Sequence, residues 1–161
     1  MSDLSPGPVK DDEGLHFFVR DPDGLTENGH VNRTFVLQAF KNGLSVLRDG
    51  ADDSEFHQTI EELKASWIPK EKKVHGILTF KAAVVRYHEG NRAFCVYDTG
   101  LPGKPLHADI MAPALKPELG VSNKALKERA LRMLIDKIGN AFTPASEIRN
   151  GAFKALLEDA A

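Results

Sequence analysis

The sequence predicts an α+β domain in which a mostly antiparallel sheet of about five strands carries three helices packed mainly on one face. Three observations lead to this prediction. Short β-rich runs occupy much of residues 15–111, and apolar residues recur at helical spacing in three other segments. The strands do not alternate with helices throughout the chain, as a parallel α/β sheet would require.

Several segments rich in β-branched and aromatic residues predict strands. Leu15–Arg20 and Leu44–Arg48 are short candidates, and Leu106–Met111 is a further one. Val74–Tyr87 and Arg92–Tyr97 predict a hairpin, because residues 88–92 between them supply a glycine-containing turn. This hairpin is expected at the centre of the sheet.

The segment 31–40 is ambiguous between strand and helix. Its β-branched and aromatic content favours a strand, whereas the spacing of Phe35 with Ala39 and of Val36 with Phe40 suits one face of a helix. The turn dipeptide Asn42-Gly43 lies between two apolar runs, which is typical of a hairpin. We therefore favour two strands here.

Apolar periodicity predicts three helices. The first covers 52–67 and has one apolar stripe that ends at Trp67. The second covers 122–138 with Ser122 as its N-cap, and the third begins at Thr143-Pro144 and extends to about residue 157. The inward residues of the second helix are expected to be Leu126, Ala130, Leu131, Leu134, Ile135 and Ile138.

Length and composition predict one globular domain. The chain has 161 residues, of which the polar, acid-rich residues 1–14 are expected to be a disordered arm and residues 15–161 a single domain. The 21 basic and 23 acidic residues give a net charge of −2, which weighs against a broad nucleic-acid surface without excluding a local one. A single cysteine and the lack of a signal sequence or a membrane-length apolar run predict a cytoplasmic protein with no membrane contact.

The strongest candidate for chemistry is the stretch Asp98–Asp109, where prolines stiffen a loop that follows a strand. His107 and Asp109 lie two residues apart, so an extended backbone places both on one face. A carboxylate beside an imidazole can orient a general base or offer two metal ligands. Together with Asp98, they form the predicted catalytic set, although a loop in which His107 only bonds to backbone accounts for the same residues.

A second group of residues is predicted to bind an anionic ligand. Arg33 can hold a phosphate or carboxylate, and His30 and Arg86 can join it. The lone Cys95 stands in an apolar strand and is expected to be a buried, inert thiol. No cofactor motif and no set of metal ligands is found, so no cofactor and no metal are predicted.

The string Asp98-Thr-Gly-Leu-Pro-Gly-Lys-Pro-Leu-His-Ala-Asp-Ile110 resembles a loop of small uncharacterised bacterial proteins that carry a P-x-x-P-x-H-A-x-I-like motif. The resemblance covers about a sixth of the chain, counted from Val85, and implies no activity. It implies that His107 has a fixed place in the fold.

Two functions compete on this basis. The favoured one is a bacterial binding or accessory protein that acts with a partner protein or as a homo-oligomer, with Trp67 and the loop 101–117 as contact surfaces. The alternative is a small hydrolase or nuclease, metal-dependent or His-based, that uses His107, Asp109 and Asp98. A DNA-binding role for the basic helix 122–138 ranks below both, because the net charge is slightly negative.

Overall fold

A computed structural model describes residues 7–21, 25–26, 30–48, 62, 73–100, 106–112, 118–139 and 142–144 of the chain. Within these residues the strands are β1 (Gly14–Asp21), β2 (Leu44–Arg48), β3 (Lys73–Lys81), β4 (Tyr87–His88), β5 (Asn91–Arg92), β6 (Cys95–Asp98), β7 (His107–Met111) and β8 (Phe142–Pro144). The helices there are α1 (Arg33–Val36), α2 (Ala82–Arg86) and α3 (Asn123–Ile138), with a 3₁₀ helix at Leu37–Phe40.

Six of the strands form one sheet in the order β6-β7-β2-β1-β3-β8, and each neighbouring pair is antiparallel. The strands β4 and β5 form a separate small hairpin. The arrangement confirms the predicted α+β class. The predicted strands around residues 15–20, 44–48 and 106–111 correspond to β1, β2 and β7.

The main core lies between one face of the sheet and the helices. The strand register places Leu15, Leu78 and Ile110 on this face, where all three are fully buried. From α3, the side chains of Leu131, Leu134 and Ile138 pack into the same core, as the helical spacing predicted. The predicted cap is also confirmed, since Ser122 Oγ accepts a hydrogen bond from the Ala125 N–H at 3.1 Å.

The segment 31–40 folds as helix, so the predicted strand and its hairpin with β2 are wrong. Asn32 caps α1 by accepting a hydrogen bond from the Thr34 N–H at 3.0 Å, and Val36 and Ala39 are buried. The turn that follows joins a helix to a strand. Gly43 has φ +102° there, and a Cβ at this position would lie 2.9 Å from Asp109 Cβ, so only glycine fits.

The predicted central hairpin 74–97 is also different in the structure. The long run breaks at Ala82, where α2 begins, because Ala82 N–H and Ala83 N–H donate to the carbonyls of Glu13 and Asp11 instead of to a strand. Strand β3 therefore pairs with β1 and β8, while β6 pairs with β7 at the other side of the sheet. The predicted turn is found, but it closes only β4 and β5, with both Glu89 (φ 51°) and Gly90 (φ 80°) in the left-handed region.

The remaining two predicted helices fall largely outside the described residues. For 52–67 only Glu62 is described, and it is helical. The third helix was expected to begin at Thr143-Pro144, but residues 142–144 form the edge strand β8. That start is wrong, since pairing with β3 overrides the local preference of proline for the first turn of a helix; the rest of this segment is not described.

Residues 7–13, which we call the strap, lie within the arm predicted to be disordered and pack against the domain. Val9 is buried in the core. The buried Arg48 donates from Nε and Nη2 to the Glu13 carboxylate at 2.7 and 2.6 Å and from Nη1 to the Gly7 carbonyl at 2.7 Å. This bidentate contact fixes the strap to β2.

Candidate functional site

His107 and Asp109 lie on the same face of β7, as their spacing predicted. Ala108, which lies between them, and Ile110, which follows Asp109, point into the core. Each polar side chain has its own partner: His107 Nδ1 lies 2.8 Å from Thr99 Oγ1, and Asp109 accepts a hydrogen bond from Ser45 Oγ at 3.1 Å. Among the contacts of the described residues, no hydrogen bond joins the side chain of His107 to that of Asp109.

Asp98 lies on the opposite face of the sheet. Its Cα partner in β7 is Ala108, and paired residues of an antiparallel ladder share a face. The Asp98 carboxylate is 5% exposed and lies 3.8 Å from Arg48 Nη1. It also accepts a hydrogen bond from the Gly100 N–H at 3.0 Å. The structure therefore brings His107 and Asp109 to one face and separates Asp98 from them.

The three residues predicted to bind an anion do not meet. Arg33 forms an ion pair with Glu128 of α3. The His30 ring lies beside Gly139, at the C-terminal end of the same helix. Glu128 and Gly139 are eleven residues apart, which corresponds to about 16 Å along the helix at 1.5 Å per residue. Arg86 donates to Asp11 of the strap at 2.9 Å and to the Val96 carbonyl at 3.0 Å. Its guanidinium thus covers the backbone of the sheet edge.

Cys95 is half-buried, so the prediction of a buried thiol is wrong. The alternation of β6 places its thiol on the same face as Tyr97, which is exposed. A hydrogen bond with Cys95 and the charge of its thiolate raise the pKa of the Tyr97 hydroxyl. Among the residues that the structure describes, no three His, Cys, Asp or Glu side chains are grouped to hold a metal ion.

A groove of about 710 Å³ lies along α3, and we call it the α3 groove. Its lining combines two apolar side chains, Ala125 and Met133, with charged and polar ones. One wall is His88 at the end of the β4–β5 hairpin, and the other residues all come from α3: Ala125, Glu128, Arg129, Arg132, Met133, Asp136 and Lys137. Five of these, at 125, 129, 132, 133 and 136, recur at the spacing of one helical face.

Two polar contacts hold the elements beside the α3 groove in place. Lys137 Nζ donates to the Tyr87 carbonyl at 2.7 Å, which fastens the β4–β5 hairpin to the end of the helix. Arg129 forms an ion pair with Glu118 at 3.1 Å, which fastens the turn at 118–121 to its first half. These contacts position the hairpin and the turn on either side of the groove.

The turn at 118–121 presents an apolar side chain to solvent. The Val121 N–H bonds to the Glu118 carbonyl at 3.1 Å, and Gly120 has φ +77°, the pattern of a type II turn. Leu119 at its tip is fully exposed. Because Glu118 is paired with Arg129, this leucine stands close to the α3 groove.

Sequence reasoning missed the α3 groove, since it treated the basic residues of this helix as a solvated face. A signal was present in the second helical stripe of Ala125, Arg129 and Met133 and in the leucine between Glu118 and Gly120. The opposite wall had no such signal, because His88 lies about forty residues earlier in the chain. Trp67 and most of the loop 101–117, the predicted contact surfaces, lie outside the described residues.

Comparison with models of protein families, with curated proteins and with solved structures gave no match for this chain. No helix in the described ranges combines the length and the apolar character needed to cross a membrane.

Proposed function

We propose that this chain is a binding or accessory protein that acts with a partner protein, which docks on the α3 groove and on Leu119. The observation that carries the proposal is the groove itself, which is concave and lined by Ala125 and Met133 together with charged side chains. Protein-binding surfaces likewise combine apolar area with polar and charged groups. The same proposal places the chain in the bacterial cytoplasm, supported by its single cysteine.

Site-specific photo-crosslinking in the cells that encode the chain tests this proposal. A photoreactive phenylalanine derivative replaces Leu119 in one variant and Tyr97 in a control variant, because both side chains are exposed and Tyr97 lies on β6, away from the groove. We expect a discrete adduct with one partner from position 119 and none from position 97. Equal adducts from both positions, or no adduct from position 119, would contradict the proposal.

A second candidate, a small hydrolase or nuclease, is favoured by one contact. The separation of 2.8 Å between Thr99 Oγ1 and His107 Nδ1 is within the reach of a nucleophile and its base. The position of Asp98 on the other face removes one of the three residues assigned to this role. Purified protein, His107→Gln and Thr99→Val are assayed on ester and phosphodiester substrates; this candidate requires turnover that both substitutions abolish.

A further inference from the structure

The charges around the α3 groove are unevenly compensated. Glu128 is paired with Arg33, and Arg129 is paired with Glu118, so these four side chains neutralise one another. Lys137 bonds to a backbone carbonyl, which leaves its positive charge without a counter-ion among the described residues.

Two other charged residues of the groove, Arg132 and Asp136, make no hydrogen bond or ion pair within the described ranges. Three charges that line the groove are therefore uncompensated within the described residues: the positive charges of Arg132 and Lys137 and the negative charge of Asp136. The balance is positive, although the chain as a whole carries −2. Charge complementarity across an interface favours a partner that brings carboxylates to these two cations.

The apolar positions of the groove set a length scale for the partner. Ala125 and Met133 are eight residues apart on α3, which corresponds to about 12 Å at 1.5 Å per residue. Apolar side chains seven residues apart on a second helix span about 10.5 Å and can occupy both positions. Methionine suits such a surface because its flexible thioether adapts to the side chain that it meets.

We infer that the α3 groove binds an acidic amphipathic helix of the partner protein, an inference that rests on the proposed function. Two apolar side chains of that helix contact Ala125 and Met133, and its carboxylates face Arg132 and Lys137. Duplex nucleic acid fits the same groove less well, because its contacts with proteins are mostly made by phosphates and sugars, which offer no apolar side chain to Ala125 and Met133.

A displayed library of helical peptides tests the inference. Each peptide carries leucines at one-heptad spacing and positions beside them that are randomised between Glu and Lys. On the unchanged protein we expect selected peptides to favour Glu over Lys about tenfold, equivalent to about 1.4 kcal/mol. The variant Arg132→Glu should lose this preference, and the matched variant Lys41→Glu, which changes an exposed lysine outside the groove, should keep it.

The other outcomes separate this inference from the proposed function. The inference of an acidic helix is overturned if the selected peptides favour Lys, show no charge preference, or are not enriched at all. The photo-crosslinking experiment at position 119 decides separately whether a partner protein docks. A mobility shift of duplex DNA that Arg132→Glu abolishes overturns both, since the surface would then bind nucleic acid.

Discussion

The strap contact and the α3 groove combine arginine with carboxylates in two different ways. Arg48 is 2% exposed and gives its donors to Glu13 and to the carbonyls of the strap, with Asp98 nearby. Around the groove Arg33 and Glu128 are about half exposed, and Arg132 makes no polar contact within the described residues. Burial with full pairing makes the first arrangement part of the fold. Exposure leaves the second available to a partner.

The largest effect is expected where the buried cation is removed. Arg48→Met keeps much of the side-chain volume but removes the cation that binds the Glu13 carboxylate and lies near Asp98. Removing one member of a buried ion pair costs about 3–5 kcal/mol of unfolding free energy, which urea denaturation measures. The matched variant Arg132→Met, at an exposed position, should change the unfolding free energy by less than about 0.5 kcal/mol. Equal stabilities of the two variants would show that the strap contact does not stabilise the fold.

Acid should weaken the contact between Glu13 of the strap and Arg48. Burial of Glu13 raises the pKa of its carboxyl, but hydrogen bonds from Arg48 and from the Lys10 N–H, with the charge of Arg48, bring the net pKa below 4.5. A folded-state pKa below the unfolded value means that this stabilisation is complete above about pH 4.5 and is lost as the pH falls through the folded pKa.

Unfolding free energies measured between neutral and acid pH test this prediction. The unchanged protein should lose stability more steeply below about pH 4.5 than Glu13→Gln, which has no carboxyl to protonate at this position. Parallel pH profiles for the two proteins would contradict the assigned role of Glu13.

The smallest effect is expected at the exposed pair beside the groove. A double-mutant cycle with Arg33→Ala and Glu128→Ala should give a coupling energy below about 1 kcal/mol that decreases with added salt, because solvent screens both charges. A coupling energy above about 2 kcal/mol would contradict the contrast between the two arrangements, since the exposed pair Arg33–Glu128 would then be coupled as strongly as a buried ion pair.

Local patterns explain how much of the site was predictable. The two-residue spacing of His107 and Asp109 placed them on one face, because alternation along a strand is a local property. The place of Asp98 depends instead on the register between β6 and β7, which pairs it with Ala108. The contacts that occupy Arg33 and Arg86 come from α3 and from the strap, so nothing near them in sequence indicates that their guanidinium groups are engaged.

The sequence by itself determined the α+β class, the strands β1, β2 and β7, and the helix α3 with its Ser122 cap, since alternation, helical spacing and capping act between neighbouring residues. Only the tertiary structure decided that residues 33–40 form helix, that the run after Lys81 leaves the sheet, and that the strap joins the core. Each of these outcomes depends on a partner distant in sequence: the Ala39 carbonyl accepts from Ala112, the strap carbonyls accept from α2, and Arg48 holds Glu13. Hydrogen bonds and burial supplied by distant segments outweigh local propensities of a few tenths of a kcal/mol per residue.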